Sequence, residues 1–229
     1  MKKKNLAMSK KPWINHKSLA WSLIVSLLLT INLSGDIYYN GTDKIFHKKH
    51  MQNQVQQCDS IRCYVIEGAG YFLKAHAGFL DFMQEFELAG LHGLDFHVLQ
   101  AKLDVAIDNL LAARDTYTRL NDITEVMSYD PVTRKRLMNF DYNKFVEENK
   151  LNKEIFNELK PLLKTGRVRM MYEKILTQID EISAVAGLIR EEIGAGISPQ
   201  LVHLYRLNEL FSRSLIEGQY AARVFQEIK

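Results

Sequence analysis

Catalytic signatures are missing from this sequence. Its 229 residues hold no Gly-x-Ser-x-Gly elbow, no His-Glu-x-x-His pair and no glycine-rich phosphate loop. The nucleophile, zinc and nucleotide chemistries that those spacings serve are therefore not indicated. No Cys-x-x-Cys-His run exists for covalent heme attachment, and no Glu-x-x-His pair for a di-iron site. Proline (4), glycine (12) and cysteine (2) are all scarce, which excludes collagen-like, low-complexity and disulfide-scaffold chains. No run of alternating β-branched residues predicts a strand. Acidic residues are absent from the first 35 positions.

What is present is an ordinary globular composition, 47% apolar and 25% charged, behind an unusual start. Lys2, Lys3, Lys4, Lys10, Lys11 and Lys17 precede an uncharged stretch from Ser18 to Gly35. A basic region followed by an apolar one is the order of a secretory signal. The basic end is expected to stay in the cytoplasm, so that the remainder crosses the membrane. Two fates are open. Cleavage near Leu33-Ser34-Gly35 would place Leu at the −3 position, where a small residue is usual. Retention as an anchor is open because the uncharged stretch of 18 residues approaches the ~20 of a spanning helix. Ser22, Ser26, Thr30 and Asn32 weaken that second fate. The expected address is exported, periplasmic or extracellular, with an inner-membrane anchor through residues 18–35 if they are uncleaved.

This segment accounts for the net charge of +3, from 30 bases and 27 acids. Without residues 1–35, 24 bases face 27 acids and the balance is −3. The remaining chain has no basic excess for a nucleic-acid partner.

Cys58 and Cys63 stand five apart, and an oxidising compartment favours a disulfide between them. In one continuous helix they would point about 140° apart. Pairing therefore predicts that regular helix begins only after Cys58. The rival, a redox or metal pair, has two thiols and no Cys-x-x-Cys spacing behind it.

Residues 36–58 read as a polar spacer rich in Asn and Gln, where His47 and His50 lie beside Lys48 and Lys49. The helical domain is expected over residues 59–229. From Val65 a 4-3 alternation of apolar positions runs through Phe72, His76, Phe79 and Met83 to Phe86, with Gly90 as the expected stop. Asp95 is the expected cap of a second long helix, striped from Phe96 and Leu99 to Tyr117 and Leu120. Residues 128–166 break the period and read as a crossover of two or three short helices. Asp130-Pro131 and Asn152 open them, and Pro161 is expected to bend or end the last. A third stripe runs from Val168 to Ile193, stopped by Gly194 and Gly196. Ser198-Pro199 is the expected start of a fourth, from Leu201 to Phe225.

The expected fold class is all-α: an up-down-up-down four-helix bundle with a short-helix crossover between its second and third helices. An extended coiled coil is the rival, and the glycine breaks near 90 and 194 argue for folding back.

Chemistry is thinner. His76, flanked by Phe72, Phe79 and Met83, is the one histidine on a core stripe. These four form the candidate ligand site, for heme or another apolar molecule. His92 and His97 flank the first turn without a spacing that forces metal binding. Asp104 and Asp108 share a helix face off the stripe. Arg134, Lys135, Arg136, Lys160, Lys164, Arg167 and Arg169 make the crossover region basic, as a solvated face or an anion-binding one. No metal or cofactor is assigned. The expected function is a non-enzymatic interaction or assembly module that meets a protein partner or its own copies. A ligand-binding bundle and an enzyme of unrecognised site are the alternatives.

Overall fold

The structure, a computed structural model, describes residues 37–38, 61–125 and 127–228. The basic and apolar N-terminal segment, most of the polar spacer and Cys58 lie outside the described residues. The described chain is all-α. Its helices are α1 (Ile61–His92), α2 (Phe96–Ile123), α3 (Pro131–Asn139), α4 (Tyr142–Glu148), α5 (Lys153–Thr165), α6 (Val168–Gly194) and α7 (Leu201–Glu227). One two-residue antiparallel pairing joins β1 (Ile37–Tyr38) to β2 (Ser128–Tyr129), with Ile37 opposite Tyr129.

Local chemistry sets most boundaries. Helix α1 begins three residues after Cys58, and among the described residues no cysteine is free. It continues through Gly90 and ends before Gly93, whose φ of 92° is the left-handed turn. A glycine inside a helix costs only about 1 kcal/mol, so Gly90 does not stop it. Asp95 caps α2, its carboxylate accepting from the backbone N–H groups of His97 and Val98. Asp130 caps α3 with Pro131 in the first turn, and Asn152 caps α5.

Two further expected boundaries are corrected. Helix α5 runs through Pro161 to Thr165. Pro161 is exposed, so water can satisfy the carbonyl that loses its donor, while Leu163 beyond it is fully buried and holds the turn in place. Ser198-Pro199 does not open α7. Gln200 is the cap residue, without a side-chain bond of its own. Its backbone N–H donates to Glu192 from the preceding helix at 3.0 Å, and Glu192 also meets His203 at 2.9 Å.

The four long helices run antiparallel to their chain neighbours. Gly78 of α1 lies against Ala106 of α2, and Gly68 against Tyr117. Arg114 and Asp104 of α2 pair with Asp180 and Arg190 of α6. Gln178 of α6 meets Glu217 of α7. All four contribute to one core, through Phe79 and Phe82, Leu103 and Leu110, Ile179 and Ile182, and Leu207 and Phe211. Phe211 links α7 to α1, with its ring centroid 5.6 Å from Phe72 and from Phe79.

A second core lies beside the first. Leu137, Phe145, Phe156 and Leu163 of the short helices pack on Val224 and Phe225 near the end of α7. Arg136 donates to the carbonyl of Ile228 at 2.7 Å and fastens α3 to the chain's last described turn. Helix α7 thus serves two cores, its first half the long helices and its second half the crossover.

Candidate functional site

The two cores do not close perfectly on each other. A cavity of about 80 Å³ lies at their seam. Phe72 and Tyr117 of the first core and Leu159 and Met171 of the second face it. Ala69 of α1 and Gly218 of α7 leave the room, since both are small at stripe positions. The rings of Tyr117 and Tyr172 lie nearby, tilted to each other with centroids 6.2 Å apart. Burial pushes both phenols well above their ordinary titration range.

One edge of this apolar space is ionic. Glu217 is only 4% exposed. Its carboxylate accepts from Gln178 Nε2 at 2.8 Å and Arg213 Nε at 3.2 Å, and pairs with Lys174 Nζ at 3.2 Å. Lys174 also reaches Glu158 of α5 at 3.5 Å, and Arg213 pairs with the same Glu158. The hydrogen bond from Arg213, with the charges of Arg213 and Lys174, holds the Glu158 carboxyl below its ordinary value despite partial burial. Burying a carboxylate without partners costs several kcal/mol. Two acids and two bases from three helices remove that cost and tie α5, α6 and α7 together. Lys174, Gln178 and Ser214 also line a polar recess of about 320 Å³.

The residues expected to hold a ligand are only partly brought together. Phe72 faces the seam cavity. Phe79 is fully buried between Phe82 and Phe211. The His76 ring lies 5.2 Å from the Phe211 ring, and Met83 packs on the first core half-buried. Asp104 is paired with Arg190 at 2.8 Å, and Asp108 is exposed. Four of the crossover bases have structural partners: Arg136 donates to the Ile228 carbonyl, Lys160 donates to Asn143, Lys164 sits 5.5 Å over the Tyr142 ring, and Arg169 pairs with Glu125 and Glu173. Among the described residues no three metal-ligating side chains converge, and no helix is long and apolar enough to cross a membrane.

Glu217, Lys174, Gln178 and Arg213 are absent from the sequence reading, because charged side chains off a stripe look like a solvated face. A signal was there. Leu210, Ser214, Glu217, Ala221, Val224 and Ile228 repeat at 4-3 spacing beside the main stripe of α7, and five of these six are buried. A charged residue within a second buried series is a mark of a polar joint.

The other surface feature is apolar. Ile197, Leu201, Val202 and Tyr205 are 57%, 60%, 63% and 71% exposed. Leu201, Val202 and Tyr205 share one face of the first turns of α7. They stand at the end of the molecule that carries the α1–α2 and α6–α7 turns. Ile61, β1 and β2 lie at the opposite end. Searches against protein-family models, curated proteins and solved structures find no match to the chain.

Proposed function

We propose that this protein is an exported, non-enzymatic interaction module, built as an up-down-up-down four-helix bundle with a short-helix crossover. On this reading residues 1–35 deliver it and, if uncleaved, tether it. The observation that carries the reading is the exposed apolar face of Ile197, Leu201, Val202 and Tyr205. Aromatic and aliphatic side chains inside a polar rim are the anatomy of a protein-binding patch. The rim here carries both signs, with Arg206 and Glu209 paired at 3.0 Å. A helix that lies on a membrane would instead present lysine and arginine.

The position of the face favours another protein over a second copy. Helix α7 has 27 residues, about 40 Å at 1.5 Å per residue. The face therefore stands roughly that far from the end where α1 begins. An end-to-end two-fold contact through two such faces would send two tethers to opposite poles, away from a common membrane.

The address and the contact are tested separately. The mass of the protein from its native host, without reduction, would begin near Asp36 for a released form or at Met1 for a tethered one. A mass two hydrogens light would establish the Cys58–Cys63 bond. Chemical crosslinking in the native envelope is expected to give one defined protein adduct that disappears in the double variant Leu201→Glu, Val202→Glu. A monomer with no adduct, or turnover of a small substrate at a defined site, would contradict this reading.

A further inference from the structure

We propose that the cavity at the seam of the two cores binds the alkyl chain of a single-chain amphiphile whose head group carries no net charge. Three observations lead there. First, the space is apolar and small. Its volume of about 80 Å³ is roughly half that of an engineered cavity of about 150 Å³ that takes benzene. A ring does not fit, whereas the last few carbons of a linear chain do. Phe72, Leu159 and Met171 supply the dispersion contacts for such a chain.

Second, the polar edge has hydrogen-bonding capacity but no spare charge. Glu158 and Glu217 balance Lys174 and Arg213. A carboxylate head would place a third anion beside two, and an ammonium head a third cation beside two. An uncharged hydroxyl, ether or amide disturbs neither. Lys174 has three N–H groups and two carboxylate partners, which leaves one N–H for a ligand oxygen.

Third, the cavity has a polar neighbour for the head. Lys174, Gln178 and Ser214 line both spaces. The recess beyond them, about 320 Å³, mixes Glu181 with Arg206 and favours neither ion. A chain in the cavity and its head in the recess would meet across these three side chains, two of them long and flexible.

The test titrates the full chain, labelled with 13C at its methionine methyl groups, with 1-hexanol, hexanoate and hexylammonium. The Met171 methyl reports from inside the cavity. The expected result is a saturable Met171 shift with 1-hexanol, at least tenfold weaker binding of both charged analogues, and loss of the shift in Ala69→Leu, whose added carbons fill the space. If Ala69→Leu does not fold, Leu73→Phe fills the same cavity from the next turn of α1. An unmoved Met171 methyl, equal binding of the three heads, or undiminished binding in the folded filled variant would overturn the proposal.

Discussion

Replacing Phe211 by alanine probes the packing that closes the long helices on each other. Phe211 is 1% exposed, and its ring meets Phe72, His76 and Phe79 of α1 at 5.2 to 5.6 Å. It is the ring through which α7 grips α1. Burial of a phenylalanine removes at least ~150 Å² from water, which at ~25 cal/mol per Å² is about 4 kcal/mol. Phe→Ala substitutions in cores cost about 3–5 kcal/mol, so the two routes agree. A domain of this kind holds only about 5–15 kcal/mol in total. Phe211→Ala should therefore lower the urea midpoint sharply at unchanged slope, as followed by circular dichroism at 222 nm. Phe211→Leu, which refills part of the space, should lose no more than about half as much. A loss below about 1 kcal/mol for Phe211→Ala would mean that the ring is not buried between α1 and α7, and the reasoning would fail.

Further outcomes follow from close contacts and charge. An added Cβ at Gly78 would stand 3.3 Å from the backbone of Ala106, whereas one at Gly70 meets nothing within 4 Å. Thermal melts should show Gly70→Ala stabilising by up to about 1 kcal/mol and Gly78→Leu destabilising by about 2 kcal/mol or more. Glu217→Ala leaves the Gln178 donor and two cations short of a partner. Because Lys174 and Arg213 are partly exposed and keep Glu158, the expected loss is about 1–3 kcal/mol, below the 3–5 of a fully buried pair. Glu217→Ala indistinguishable from the parent would show that the joint contributes nothing. The Glu158 carboxyl is held low when folded, first by the Arg213 hydrogen bond. Its contribution is thus complete above the unfolded value of about 4.3 and is lost as pH falls through the lowered folded value. Stability curves from pH 6 to 2 should be flatter for Glu158→Gln; parallel curves would remove Glu158 from the acid response.

The long helices were legible because burial of one face writes a 4-3 period along helices of 27 to 32 residues. Leu99, Leu103, Leu110 and Leu120, or Ile179, Ile182 and Ile189, are buried where that period places them. The crossover was legible through its caps, since Asp130 and Asn152 each accept two backbone N–H groups at a helix start. The start of α7 was not, because its cap interaction comes from Glu192, eight residues upstream of Gln200. Pro161 misled for the same reason: Leu163 in the second core overrides a local break. The seam lay furthest from view. A single stripe gives α7 one buried face, yet Val224 and Ile228 bury a second against the short helices. Glu217 falls in that second 4-3 series, whereas Glu209 lies outside it, exposed and paired with Arg206. Spacing thus marks Glu217 as a candidate for burial, while the helices that bury it follow from topology.

The measurement that bears most directly on the proposed function places a photo-crosslinking amino acid at position 205, the most exposed position of the apolar face, in the full chain expressed in its native host. The account predicts one protein adduct of defined mass, lost on Leu201→Glu and absent when the same amino acid stands at exposed Thr177. Light-dependent adducts only with lipid or with a second copy of this chain, or no adduct at all, would contradict it.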